Sequence, residues 1–171
     1  MKEIFKRGDC RHFKELTPVA EEDLLTLIKA GMQGRSCGNQ DSREFILVTR
    51  EDLVKAISHN SIIAGPARKA AAVIVIIGNK ENISFPEEWS FDCAAAAQNI
   101  LTEAAHLALG TLWMQIYPYS DRKAHISHIL DIPANKEPFC AIAIGYAEKP
   151  PLHINRYMPR LIHKDLYGSK K

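Results

Sequence analysis

The sequence predicts one domain of mixed helices and strands, and three features of its 171 residues carry that expectation. The run "AAAVIVIIG", 70–78, is continuously apolar and rich in β-branched residues, the pattern of a strand covered on both faces. "FCAIAIGY", 139–146, reads as a second buried strand. Between them lies "DCAAAAQNILTEAAHLALG", 92–110, apolar over most of its circumference at helical spacing, the pattern of a buried helix. The chain is long enough for one domain with a real core and short for two.

The remaining elements follow in order. Ile4 to Lys6 reads as the end of a short helix. "TPVAEEDLLTLIKAGM", 17–32, is a helix with Thr17 as its cap and Pro18 at its first position. Glu21, Glu22 and Asp23 suit the positive end of its dipole. Its apolar face is Ala20, Leu24, Leu27, Ile28 and Gly31. "EFILV" is a strand and "REDLVKAI" a short helix. The long helix ends at Gly110, a good left-handed terminator. "TLWMQIY" is a strand, and "SDRKAHISHIL" a helix capped by Ser120. Beyond residue 146 the chain is extended, Pro-interrupted and basic. No repeat, low-complexity tract or linker divides it.

Ala94 to Ala97, with Ala104, Ala105 and Ala108, leave little side chain on several faces of the long helix. Something must pack closely around it. The cover is either sheet plus a second copy of the chain, or the interior of a monomer.

Composition excludes several classes. Hydrophobic content of 46% and charged content of 25% are ordinary for a globular protein. A net charge of +2 makes no electrostatic case for nucleic acid. No apolar run approaches the ~20 residues that span a bilayer, and "MKEIFKRGDC" has no apolar leader core, so a cytoplasmic protein without a membrane partner is expected. The four cysteines are scattered with no C-x-x-C pair, which fits reduced thiols. His125 and His128 share a helix face but lack further ligands, so no metal is expected. Neither a Rossmann glycine motif nor a Ser-His-Asp or Cys-His set is present.

One loop stands apart. "GRSCGN", 34–39, is small and polar between a helix and a strand. Asn39 beside Gly38 fits an ordinary turn. The same stretch also fits backbone cleared for a flat ligand.

Four local words, in order over nearly the whole chain, resemble the FMN-dependent nitroreductase family. "RGDCRHF", 7–13, is similar to that family's Arg-Arg-Ser-x-Arg-x-Phe word. "SCGNQDSREFILV" resembles its Ser-x-Gly-Asn-x-Gln-Pro-Trp-x-Phe loop and strand. "DCAAAAQNILTEAAHLALGTLWM" resembles its central dimer helix and following strand. "ILDIPANKEPFCAIAIGYAEKPP" with "RYMPRLIH" resembles its closing strand and C-terminal arm.

The resemblance implies an α+β fold, a nitroreductase-like sandwich with a central mixed or antiparallel sheet flanked by helices, in which two chains interlock as a homodimer. Residues 1–171 form one domain, with an arm from about 147 to 171 laid over the partner subunit. It implies FMN as cofactor, NADH or NADPH as electron donor, and a small-molecule acceptor such as a nitroaromatic or quinone. Residue by residue, Arg7 and Arg11 fall on the phosphate-binding word, with Gly8 and Asp9 inside it. Arg156 falls on a phosphate-contacting arginine of the arm, though it also fits a plain basic tail. Ser36, Asn39 and Asp41 fall on the loop that approaches the flavin. Trp113, Met114 and Gln115 fall where strand backbone faces the ring, and Trp113 equally fits the core. No side chain is required as acid or base, because the flavin carries the chemistry.

Three departures bear on this. Gly8 and Asp9 replace an Arg and a Ser, so a carboxylate opposes the phosphate while the glycine frees backbone N–H groups around it. Asp41 replaces a Gln, which could donate where an ionised Asp only accepts. Ser42-Arg43 replaces Pro-Trp. These support a rival expectation, a flavin- or nucleotide-binding dimer that retains the fold with weakened catalysis.

Overall fold

The computed structural model describes residues 3–81, 83–150 and 154–169. In chain order its helices are α1 (Glu3–Lys6), α2 (Glu21–Met32), α3 (Glu51–Ser58), α4 (Trp89–His106) and α5 (Ser120–Ile129). Its strands are β1 (Arg43–Val48), β2 (Ala72–Asn79), β3 (Gly110–Gln115) and β4 (Lys136–Gly145). The strands form one sheet in the order β1–β2–β4–β3, each neighbour antiparallel. The fold is the α+β class expected, with an antiparallel rather than a mixed sheet among its named strands.

The two apolar runs become the central strands, and alternation divides their side chains between two cores. Val73, Val75 and Ile77 face one layer with Ala141, Ala143, Leu112 and Met114. That layer is closed by α3, α5 and the 3₁₀ segment Ile62–Lys69, through Val54, Ile57 and Ile126. Ala72, Ile74, Ile76, Ile142 and Ile144 face the other, closed by Leu24 and Leu27 of α2 and Ala96, Ala97 and Ile100 of α4. Each fully buried Ile or Val contributes roughly 1.5–3 kcal/mol of transfer free energy.

Helix α4 lies close to its neighbours because small residues admit it. A Cβ on Gly31 of α2 would come within 3.0 Å of Ile100, and one on Gly34 within 2.8 Å of the Ala96 backbone nitrogen. At its start, Trp89 sits over Gly78 of β2 and meets Tyr117 edge-to-face at 5.0 Å. Its opposite side is only partly covered by the described residues: Phe91 is 68% exposed, and Ala94, Ala95, Gln98, Thr102 and Ala105 are half-buried.

The helix ends differ from the sequence expectation. Thr17 and Pro18 do not start α2, because Leu16 takes a left-handed φ of 45° and donates its N–H to Lys69 O (3.0 Å), holding the chain extended to Ala20. Tyr119, not Ser120, flanks α5 as its N-cap residue. The terminator of α4 is Ala108 rather than Gly110. Ala108 has φ 57°, and Leu109 N–H donates back to Ala104 O (2.8 Å), the bond pattern of a Schellman end. Gly110 already belongs to β3, where it makes room for Cys10 Sγ, 2.8 Å from where its Cβ would lie.

The segment before α2 is woven into the sheet's end. Cys10 N–H donates to Thr111 O (2.7 Å), Lys14 N–H to Tyr146 O (2.8 Å), and Glu148 N–H to His12 O (2.8 Å). This stitching brings residues 7–12 beside the chain that leaves β4. Of the expected arm, residues 151–153 and 170–171 lie outside the described residues. Every described residue from 154 to 169 is exposed, including Tyr157, Leu161, Leu166 and Tyr167.

Candidate functional site

The stitched N-terminal segment and the chain after β4 enclose a cavity of about 410 Å³. Arg7, Gly8, Asp9, Arg11, Lys149 and Arg156 line it. Five of the residues singled out from the sequence, 149 positions apart at the extremes, therefore meet in one place. Four cations face one carboxylate there, an arrangement that attracts a compact dianion. A second cavity of about 320 Å³ opens beside it, sharing Arg7 and Gly8 and walled by Ala105, Ala108, Thr111 and Ala147.

The Ser36–Asp41 loop lies elsewhere, at the start of α4. Its organiser is Asp92, buried in the first turn of that helix. Ser36 Oγ donates to Asp92 Oδ2 (2.9 Å), Ser42 Oγ to the same oxygen (2.7 Å), and Gln40 Nε2 likewise (3.1 Å). Cys37 N–H donates to Asp92 Oδ1 (2.9 Å). Burial pushes the Asp92 pKa up, but the donors from Ser42, Cys37, Gln40 and Ser36 outweigh it and hold the carboxyl below its usual range. The carboxylate is the fixed point on which the loop is hung.

This changes the part Ser36 plays. Its hydroxyl is spent inside the chain, donating to Asp92 and accepting from Asp41 N–H (2.9 Å). Asn39 has φ 53° and points to the exterior with no side-chain hydrogen bond among the described residues. Asp41 has φ 49° and a side chain 79% exposed, its Oδ1 3.5 Å from Arg43 Nη1. Arg43, in the place of the family's Trp, is buried and closes the end of α2. Its Nη2 donates to Met32 O (2.9 Å) and Gly34 O (2.6 Å), a cation at the negative end of a helix.

The loop's small residues also have internal reasons. Gly34 clears the α4 backbone, and Gly38, at φ 56°, lies under the ring of Phe85. The flat group that passes close to Gly38 within this chain is thus a phenylalanine.

Trp113, Met114 and Gln115 line neither cavity. Met114 is a core side chain on the α3–α5 side of the sheet. Trp113 faces the other side, edge-to-face with Phe139 at 6.1 Å, its Nε1–H donating to Gln115 Oε1 (2.7 Å). The Gln115 carbonyl accepts from Asn60 Nδ2 (3.2 Å) and Arg122 Nη1 (3.0 Å).

Asp92, Gln40 and Phe85 were missed by sequence reasoning. One signal was present: Asp92 is the only charge between Glu88 and Glu103, in the most apolar helix of the chain. A lone carboxylate on such a surface needs several donors to be stable there.

The loop and the arginine cavity sit at opposite ends of α4. Asp92 and Ala105 are 13 positions apart, about 20 Å at 1.5 Å per residue. Within one chain they flank the exposed face of the helix rather than a common pocket. Among the described residues, no group of three or more His, Cys, Asp or Glu could hold a metal ion, and His125 Nε2 lies 3.2 Å from Ala56 O. No described helix is long and apolar enough to cross a membrane.

Comparison with known proteins gives a consistent result. The sequence profile of the nitroreductase family matches residues 62–146. An Archaeoglobus fulgidus protein, provisionally named NADH dehydrogenase/NAD(P)H nitroreductase, is 30% identical over 169 residues, covering 96% of this chain and 97% of that protein. The crystal structure of a provisionally named NADH oxidase from Clostridium acetobutylicum superposes with a TM-score of 0.92 at 34% identity, over 96% of this chain and 99% of that one. An FMN-dependent nitroreductase from Clostridium difficile gives a TM-score of 0.89 at 25% identity, over 98% and 100% of the two chains.

Proposed function

Because the chain belongs to the nitroreductase family of oxidoreductases, we propose that it is an FMN-dependent enzyme that takes electrons from NADH or NADPH and passes them to nitroaromatic, quinone or similar acceptors. The redox chemistry is the flavin's own, with donor and acceptor using one open face in turn, which is a ping-pong sequence. What this chain supplies is binding, orientation and a defined edge to that face.

The observation that carries the reading is the convergence of Arg7, Arg11 and Arg156 on one cavity. The donor set suits a phosphate monoester: guanidinium forks bind its oxygens bidentately, and Gly8 leaves backbone N–H groups free to approach. Asp9 offsets one of the four cations and leaves an excess of positive charge.

The working unit in this reading is a homodimer. The exposed α4 face, the exposed apolar residues of 154–169, and the roughly 20 Å along α4 from Asp92 to Ala105 support it together. A two-fold pairing across α4 would bring one chain's loop toward its partner's arginines, with 1–171 as one domain and its arm lying over the other subunit. Cytoplasmic residence belongs to the same proposal, in keeping with four free thiols.

A second reading, a dimer that binds flavin or nucleotide without turnover, is favoured by the Asp9 carboxylate within the arginine cavity. Native mass spectrometry and anaerobic reduction separate the two. The expected result is a dimer carrying two FMN, bleached by NADH or NADPH, with Arg11→Ala weakening FMN binding about 10- to 100-fold. FMN uptake without reduction by either nicotinamide supports the second reading. A monomer that takes up no FMN overturns both.

A further inference from the structure

Phe85 lies between β2 and α4, and its side chain is 45% exposed. Aromatic residues in surface connections are ordinarily mobile. This one is held. Its backbone N–H donates to Gln40 Oε1 (2.9 Å), and its C=O accepts from Gln40 Nε2 (3.2 Å). The same Nε2 donates to the buried Asp92 carboxylate (3.1 Å), so one amide is oriented by three partners. The ring then lies directly on Gly38, where a Cβ would be 2.6 Å from Cε2 and 3.2 Å from Cδ2. A side chain at Gly38 would displace it.

The protein therefore spends a buried carboxylate, a glutamine and a left-handed glycine on fixing one aromatic ring that the chain leaves half in solvent. Packing does not require this, because no core cluster includes Phe85. The ring borders Gly38, in the loop that the proposed function sets against the flavin. Electron-poor planar molecules are favoured beside an electron-rich ring face, by offset stacking.

We propose that Phe85 is a specificity-determining side chain for the electron acceptor, stacking planar aromatic acceptors beside the loop, with Gln40 as the residue that positions it. This inference rests on the FMN oxidoreductase reading. It gives a compact, hydrated acceptor such as ferricyanide no advantage, because such an ion has no ring to stack.

The test uses the FMN-loaded dimer in wild-type, Phe85→Ala, Phe85→Tyr and Gln40→Ala forms. Subunit state and bound FMN are measured first, then kcat/KM for p-benzoquinone and for ferricyanide with the same nicotinamide donor. The expected result is a quinone-to-ferricyanide ratio lowered about three- to tenfold in Phe85→Ala, chiefly through KM for quinone. Phe85→Tyr restores the ratio, and Gln40→Ala lowers it in the same direction. An unchanged ratio in Phe85→Ala overturns the proposal. So does loss of the dimer or of FMN in that variant, which would make Phe85 a packing residue. A wild-type protein that binds no FMN defeats the underlying reading instead, and is recognised before any ratio is measured.

Discussion

Phe85 occupies the space that a side chain on Gly38 would need: a Cβ there would lie 2.6 Å from the ring's Cε2. Gly38 also sits at φ 56°, a conformation that costs an L-residue roughly 1–2 kcal/mol. Gly38→Ala is therefore expected to destabilise the protein by about 1–2 kcal/mol in urea unfolding and to swing the ring off the loop. A variant as stable as wild type would show that the loop relaxes freely around residue 38.

Asp92 makes a sharper prediction, because its carboxylate accepts from Ser36, Ser42, Gln40 and Cys37 at once. An amide in its place presents two donors where four donors already point. Asp92→Asn should cost about 2–3 kcal/mol near neutral pH. The pH dependence follows from the direction of its shift. The folded pKa lies below the ordinary value, so the stabilisation is complete above an unfolded value of about 3.9 and is lost as pH falls through the depressed one. The stability gap between wild type and variant should thus hold from neutral pH to about 4 and narrow only below it. A gap that closes between pH 7 and 5 would contradict this origin.

Ala108 offers a gain rather than a loss. It holds the left-handed position of the α4 terminus at φ 57°, where glycine is the least strained residue. Ala108→Gly should stabilise the fold by about 1 kcal/mol, read as a higher denaturant midpoint with an unchanged slope. Because Ala108 lines the cavity beside Arg7, FMN affinity measured in parallel reports whether that cavity tolerates the change.

Asp41 tests the electrostatics of the loop. Its carboxylate is a negative charge where the family carries a neutral amide, and a negative charge near a reduced anionic flavin lowers its potential. Redox titration of the FMN-loaded protein is expected to give a higher potential in Asp41→Gln than in wild type. The 79% exposure of the side chain and its 3.5 Å approach to Arg43 keep the change small. An equal or lower potential in the variant would exclude Asp41 from the flavin's field.

The thiols of Cys93 and Cys140 add no switch to this picture. Burial raises the Cys93 pKa to about 12 and that of Cys140 well above the ordinary thiol value. Neither forms a thiolate at physiological pH, so mild alkylation should leave both unmodified.

Much of this molecule is legible along the chain. Continuous apolar runs predict β2 and β4, helical spacing predicts α2 and α4, and the words around Arg7 and Arg156 single out residues that meet at one cavity. These signals are local: each reports which face of one element is buried, or which short string recurs. The tertiary structure decided the rest, for a physical reason. Asp92 finds Ser36, Gln40 and Ser42 from 50 to 56 positions away, and no periodicity encodes such a meeting. The helix ends moved because long-range bonds, such as Leu16 to Lys69, outweighed capping preference worth about 1 kcal/mol. The roughly 20 Å along α4 between Asp92 and Ala105 exists only once that segment is a rigid rod with both ends occupied. Sequence offered the candidates; packing gathered Arg7, Gly8, Asp9, Arg11 and Arg156 at one cavity and left Trp113, Met114 and Gln115 outside it.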